Sequence, residues 1–559
     1  MMTILKLLCN VALVTATMTG PTTALAASIA QPADFSAQAA ALLDAAYPAD
    51  GPGAAVVVML GGRVIFSGGR GLADLEARRP ITPDTAFRLG SITKQFTAAV
   101  ILQLVAERRI SLDDPISRFF PDYPQPGARA TVRQLLNHVS GIQDYSKIPG
   151  WMGGEQSLRP NTTADLVAVI RSRPSPSAPG QRWEYNNGGY TMLGAIIEQV
   201  SGKPWHQAVT ERIAQPLGLA TIAYAGKVEG DPATARGYGE EGGRQRPARG
   251  VHISVAHAAG GLVGSVSDMA RWAQALHHGR VVSPELYREM IRPARLANGS
   301  TEPYGFGLRL RQIRGRPVLV HGGAGRGLDT DSAYIPSEDL FVAVFSNSDD
   351  AATDPAMLVR RLAALALGEP IPTFTRADID LRSIEPLFGA YEAKDGPPRR
   401  FLARDGKIYI GRGVEEVELF AAGDDRFFDP GGLTWLKIAR RADGAHVMEI
   451  HRPDAAAADR AVRTGPAPAA LAVSPEVLQD YVGSYATEGP VVTVALNADG
   501  GLTIAPAGQN PLAMRAVSET EFRIEGGMMR VVFHRENDEV NRLTIYRGAR
   551  ELHGRRVSR

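Results

Sequence analysis

Ser91-Ile92-Thr93-Lys94-Gln95-Phe96-Thr97-Ala98-Ala99-Val100-Ile101-Leu102-Gln103-Leu104-Val105 is the stretch that decides the architecture. From Phe96 to Val105 apolar residues occupy nearly every face of a helical wheel, so this helix has no side to show to water and must be enclosed by other elements. At its start Ser91 and Lys94, three positions apart, share one face. Of the eight lysines in the chain, only Lys94 has a serine three positions before it. A serine hydroxyl is a weak nucleophile until a base takes its proton, and an amine can be that base only if burial or nearby cations lower its pKa from about 10.4. An apolar helix supplies the burial. The N–H of Ser91, at a helix N-terminus, is one free donor for an oxyanion. The same residues also suit a plain helix start, with Ser91 as cap and Lys94 in solvent.

Outward from this helix, AAVVVMLGGRVIFSGG from Ala54 to Gly69 reads as two β-branched strands joined by a hairpin at Gly61-Gly62. Helical patterns follow at Val132 to Leu136, Ala164 to Arg171, Thr191 to Val200 and Ser267 to Leu276, separated by Gly/Pro-rich loops. Strand-like runs return at Val318 to Val320 and Leu340 to Phe345. Strands at both ends with helices between them predict an α+β domain whose sheet is closed by distant segments. Its end falls at the composition break Gly368-Glu369-Pro370-Ile371-Pro372.

Beyond that break the chain repeats itself. Phe388-Gly389-Ala390-Tyr391 matches Val482-Gly483-Ser484-Tyr485 at an offset of 94. Arg426-Phe427 matches Glu521-Phe522, Gly431-Gly432-Leu433 matches Gly526-Gly527-Met528, and Met448 to Arg452 matches Leu543 to Arg547, all at an offset of 95. Alternating runs punctuated by Asp405-Gly406, Asp443-Gly444 and Asp499-Gly500-Gly501 make each copy a small antiparallel β-barrel or meander. The Ala/Pro-rich stretch Ala455 to Ala472 reads as the linker, and the aromatics Tyr391, Phe427, Trp435, Tyr485, Phe522 and Phe533 read as barrel core.

The 559 residues are 44% hydrophobic and carry 61 Lys plus Arg against 59 Asp plus Glu, enough for a large core and without a cationic field for nucleic acid. Residues 1–26 combine Lys6, an apolar stretch from Leu7 to Val14 and Ala24-Leu25-Ala26, the pattern of a secretory signal cleaved before Ala27. The expected mature chain is periplasmic or secreted, has no transmembrane segment and, since the single cysteine is Cys9, has no thiol. The 11 histidines include no His-Glu-x-x-His, so no metal is expected, and no motif calls for a cofactor. No Gly-x-Ser-x-Gly marks a nucleophile elbow. His138, His252 and His257 read as structural or loop residues. Nothing in the sequence speaks to oligomeric state.

Two further motifs bear chemistry. Tyr185-Asn186-Asn187 is the one place among 15 tyrosines where an asparagine follows two positions later. A phenolate near ammonium groups can be held ionised below its ordinary pKa of about 10 and shuttle protons, and the amide of Asn187 can bind a substrate carbonyl. His321-Gly322-Gly323-Ala324 closes a strand where glycines let a substrate backbone approach, with the Ala324 N–H as a second oxyanion donor. Taken singly, each also suits a tight turn.

Together, in this order and with separations of 94 and 136 residues, the three motifs resemble those of the serine β-lactamase and penicillin-binding-protein superfamily, in its branch of class C β-lactamases, D-aminopeptidases, DD-peptidases and esterases. Leu135 to Gly141 (LLNHVSG), Pro216 to Leu219 and Ala259 to Leu262 followed by Ser267-Asp268-Met269 also look like that branch. The resemblance covers roughly residues 35 to 370 and implies a β-lactamase-like domain, bounded here at 27–372, with an antiparallel sheet flanked by helices and a helical subdomain; the repeat sets the barrels at 373–454 and 473–559. It implies Ser91 as acylated nucleophile, Lys94 and Tyr185 as the proton-transfer pair, and Asn187, His321 and Gly323 as substrate-binding positions. His321 stands where the family's β-lactamases carry lysine and should hold only a partial positive charge at neutral pH, which favours D-aminopeptidase or esterase chemistry over β-lactam hydrolysis. The expected activity is a serine hydrolase acting through an acyl-enzyme on amides of D-amino-acid peptides, with cell-wall fragments among the candidate substrates. A carboxylesterase and a penicillin-binding or sensor protein that never turns over are the alternatives. D-aminopeptidases of this kind have two barrels, one of which can reach over the active site.

Overall fold

A computed structural model describes residues 34–558 apart from 229, 350–353, 395–397, 413–414, 467–472, 488–489, 508, 525–528, 537–538 and 548–549. The leader expected at 1–26 and the repeat partner Gly526-Gly527-Met528 lie outside the described residues. The chain divides after Pro370 into two compact units.

In the first unit six strands form one antiparallel sheet in the order Arg309–Ile313, Arg316–Gly325, Leu328–Ile335, Leu340–Ser346, Ala54–Leu60, Arg63–Arg70. The ends of the domain meet inside it: Ala54 pairs with Ser346 and Leu60 with Leu340. The hairpin expected at Gly61-Gly62 forms with both glycines at positive φ, 55° and 73°, as the primed turn that follows strand twist requires. Side-chain alternation divides Ala54–Leu60 between two cores. Ala54, Val56 and Val58 pack with helices Phe35–Ala46 and Pro355–Ala366, while Ala55, Val57 and Met59 join the larger cluster under the remaining helices. Both faces are covered, hence the unbroken apolar run.

The deciding stretch forms helix Thr93–Ala106 after a 3-10 turn at Gly90–Ile92. It is enclosed as its composition demands: every residue from Thr93 to Leu102 is buried. Phe96 stacks on Trp272 at 4.1 Å, whose indole N–H donates to Gln95 Oε1 at 3.1 Å. Thr97 Oγ1 donates to the Ala258 carbonyl at 2.7 Å. The expected helices appear as Val132–Leu136, Thr163–Arg171, Asn187–Ser201 and Val266–His277. No helix among the described residues is long and apolar enough to cross a membrane.

The second unit holds two closed eight-stranded antiparallel barrels, the first from Gly389–Ala393 to Asp459–Gly465 and the second from Gly483–Thr487 to Arg550–Ser558. Each has its own core, around Phe401, Phe427 and Ile450 in one and Phe522, Phe533 and Leu543 in the other. The repeated tyrosines do the same job: Tyr391 donates to the Leu387 carbonyl and Tyr485 to that of Tyr481, each four residues back. Two expectations are corrected. The first barrel does not end at 454, because Asp459–Gly465, inside the stretch expected to be linker, is its closing strand and pairs with both Gly389–Ala393 and His446–His451. Its only buried residue is the small Ala461, so it lacks the bulky alternation that marks a strand. Trp435 is not core but half-buried, stacked on His451 at 3.8 Å, while Leu436 and Ile438 turn inward.

Candidate active site

The turn at Gly90–Ile92 sets Ser91 at the mouth of the buried helix, and Lys94 follows one turn on. Gly90 takes φ 51°, a conformation glycine enters without strain. Lys94 is wholly buried, with Nζ 3.1 Å from Ser91 Oγ, 2.9 Å from Asn187 Oδ1 and 2.8 Å from the Ala259 carbonyl. That carbonyl is available because it lies in the last turn of Ile253–Gly260, where helix carbonyls have no intrahelical partner. Burial pushes Lys94 down to about 7; Asp144 works against this shift and Arg309 adds to it. A neutral amine has two N–H bonds, which Asn187 and Ala259 absorb, leaving its lone pair for the hydroxyl of Ser91.

Tyr185 ends the loop before helix Asn187–Ser201, and its hydroxyl is hydrogen-bonded to Ser91. Lys94 Nζ lies 4.7 Å from its ring centre. The expectation of an ionised phenol is reversed: burial drives Tyr185 above its ordinary value, outweighing the Ser91 hydrogen bond and the Arg309 charge that favour ionisation. Its raised value leaves it a neutral phenol in contact with Ser91. Asn187, first residue of its helix, donates its backbone N–H to Asp144 Oδ2 at 3.1 Å and its carbonyl oxygen faces Lys94. Its Nδ2 has no protein acceptor among the described residues. The loop is braced by His138, whose Nδ1 accepts from the Asn186 N–H at 3.2 Å and whose ring lies 4.5 Å from that of Tyr185.

His321 departs from expectation in two ways. Its Nε2 meets the Tyr304 hydroxyl at 2.9 Å and its Nδ1 the Gly322 carbonyl at 2.8 Å, so both nitrogens are satisfied inside the protein and neither is free for a substrate. Burial, together with the charges of Lys94 and Arg309, pushes it down to about 3, so the partial positive charge is absent. Gly323 answers a packing demand. A Cβ there would lie 2.2 Å from the Leu89 carbonyl oxygen and 2.8 Å from the Ser91 nitrogen. The Thr330 hydroxyl, within reach of the carbonyls of Leu89 at 3.2 Å and Gly323 at 3.1 Å, ties the turn to the strand.

Ser91, Asn187 and Ala324 line a cleft of about 350 Å³, and Lys94 and Tyr185 bear on it through their contacts with Ser91. Tyr145, Met152, Val251, Ile253 and Val255 give it an apolar side. Its charged lining residues, among those described, are Arg88 and Arg326, and no carboxylate lines it. Sequence reasoning missed Asp144, Tyr304, Arg309 and the Ala259 carbonyl. A tyrosine among glycines in Pro303-Tyr304-Gly305-Phe306-Gly307 was the available signal, since Gly307 at φ 70° packs on the backbone of Lys94.

Residues 41–367 match the family model described as beta-lactamase. A D-aminopeptidase from Brucella anthropi is 32% identical over 343 residues, which covers 59% of this chain and 62% of the relative. The chain thus matches under two thirds of that relative's length. Among solved structures, a D-stereospecific amidohydrolase from Streptomyces sp. aligns with a TM-score of 0.50 and 28% identity over 59% of this chain and 98% of that one. An octameric penicillin-binding protein homologue from Pyrococcus abyssi aligns with a TM-score of 0.54 and 26% identity, covering 77% of this chain and 99% of that one.

Proposed function

Given that this chain belongs to the beta-lactamase family, we propose that it is a serine hydrolase that cleaves amides of D-amino acids or their peptides through an acyl-enzyme on Ser91. The observation that carries this reading is the contact of 3.1 Å between Ser91 Oγ and a fully buried Lys94. Lys94, whose pKa burial lowers to about 7, takes the hydroxyl proton in its neutral form as Oγ attacks the carbonyl carbon. The oxyanion that forms is held by the N–H groups of Ser91 and Ala324. The C–N bond breaks as Tyr185, a neutral phenol in contact with Ser91, gives its proton to the leaving nitrogen and is recharged from Lys94. Water then attacks the ester, losing a proton along the same route, and frees the acid and Ser91. Asn187 Nδ2 takes the carbonyl of the acyl group. His321 serves by holding Tyr304 behind the site. The choice of D-amino-acid amides is supported by the D-aminopeptidase and D-stereospecific amidohydrolase among the similar proteins. Action in the periplasm or medium is part of the proposal, on the leader pattern of residues 1–26.

The test is a chromogenic D-alanyl anilide with parent and Ser91→Ala. Release of the chromophore should fall by about 10⁴-fold or more in the variant, and equal turnover by both would end the proposal. One observation favours a second reading: a cleft lined by Arg88 and Arg326 and by no described carboxylate suits a substrate with a free carboxylate better than one with a free ammonium. An acyl-D-Ala-D-Ala peptide assayed beside D-alanyl amides and short nitrophenyl esters separates carboxypeptidase, aminopeptidase and esterase activity.

A further inference from the structure

Arg309 opens the edge strand Arg309–Ile313 and pairs with Val320, the neighbour of His321. Its guanidinium carbon lies 5.3 Å from the ring centre of Tyr185, 5.5 Å from that of Tyr304 and 5.8 Å from that of Trp183. This is a cradle of π-faces of the kind that holds a cation. Among the described residues Arg309 has no ion pair, so its charge is not cancelled locally. Lys94 Nζ approaches the same Tyr185 ring at 4.7 Å. One phenol thus stands between a permanent cation and an amine that must give up its charge before it can act as a base.

The surroundings leave few competitors. Facing Lys94 are Ser91 on its own turn, Asn187 and Tyr190 on helix Asn187–Ser201, Asp144 from the loop before Tyr145–Lys147, Tyr185, and behind them His138, Tyr304 and His321. Both histidines are buried and held neutral. Among the described residues named here Asp144 is the one carboxylate facing Lys94, already engaged by the N–H of Asn187 and by the N–H and hydroxyl of Ser146. Lys147 is tied to Glu184 at 2.6 Å. Arg311, two positions on, has Glu302 as its counter-charge.

We propose that Arg309 is a positioning residue: seated in its ring cradle, it acts across Tyr185 to disfavour a second positive charge on Lys94 and to hold the phenol against Ser91, without touching substrate. This rests on the reading of Lys94 as the base for Ser91. The repulsion is lost with the charge, whereas ring packing is lost with the planar guanidinium, so two substitutions separate them.

The experiment measures the rate of Ser91 labelling by a fluorophosphonate from pH 5 to 9 in the parent, Arg309→Gln and Arg309→Lys, after near-UV circular dichroism has shown matching folds. The rising limb should move up by about 0.5 to 1 pH unit in Arg309→Gln and stay near the parent's in Arg309→Lys, with all three converging at high pH. An unmoved limb in Arg309→Gln, even with slower labelling throughout, would reduce Arg309 to packing and overturn the proposal, as would an equal shift in both variants. In the same proteins the ¹³Cε resonance of Lys94, assigned by its loss in Lys94→Met, is titrated directly. Should the parent fail to label, the hydrolase reading falls, and this titration still decides whether Arg309 holds the amine neutral.

Discussion

A methyl group on Gly323 would sit 2.2 Å from the Leu89 carbonyl oxygen and 2.8 Å from the Ser91 nitrogen, both backbone atoms that cannot swing aside. Strand and nucleophile turn would have to part, taking the two oxyanion donors out of register. Gly323→Ala should therefore lower Ser91 acylation by about 10²- to 10³-fold, the usual effect of losing one such donor, while the far-UV spectrum stays that of the parent. Lys94 makes a prediction about stability. Its folded pKa is lowered from 10.5 to about 7, so between those values the unfolded chain binds a proton that the native one does not, and stability climbs with pH across this window. Lys94→Met removes that slope. Its stability relative to the parent should be greatest below pH 7 and decline toward pH 10, read from urea midpoints at several pH values. Ser91, Lys94, Tyr185 and Asn187 were legible because two short motifs fix their mutual chemistry. Arg309, Tyr304 and Asp144 were not, since each reaches the centre from a separate segment and only folding reveals what a lone arginine or tyrosine faces. The state of charge was equally illegible: burial, which decides the neutrality of Tyr185 and His321, is a property of the packed protein.

Among elements, those with strong periodicity declared themselves. The helix Val132–Leu136 falls on its pattern and starts at a capping box between Thr131 and Gln134, and the glycines at 61 and 62 could serve few other turns. Asp459–Gly465 shows the opposite case. Its inward position is filled by Ala461 and its outward ones by Arg460 and Val462, so composition hides a strand that the barrel cannot close without. A fragment spanning 371–466 should fold into a monomeric barrel, whereas one spanning 371–454 would leave Gly389–Ala393 and His446–His451 with open edges and should aggregate. Size-exclusion chromatography of the two fragments side by side makes the comparison.

For the molecule as a whole, the buried side chains of the described residues form five separate clusters: one on each face of the sheet, a small one around Ala86, Ala225 and Val263, and one inside each barrel. Because none of the sheet clusters draws on residues beyond Pro370, a chain stopped there should unfold cooperatively and still label at Ser91, with a rate within about threefold of the parent on a small fluorophosphonate. Loss of cooperative unfolding would show that the barrels complete the catalytic fold. The doubling of the barrel could be read from the sequence because a register of 94 or 95 residues carries its tyrosine and phenylalanine anchors in step. Within each copy, strand one lies beside strand eight, with Tyr391 paired to Arg463 and Tyr485 to Arg556. The arginine of the last strand in turn clasps the carbonyl just ahead of the first, Phe388 in one copy and Val482 in the other. Entry and exit therefore share a seam, and a unit built this way can be spliced in, doubled or cut out of a gene without rethreading anything on either side of it.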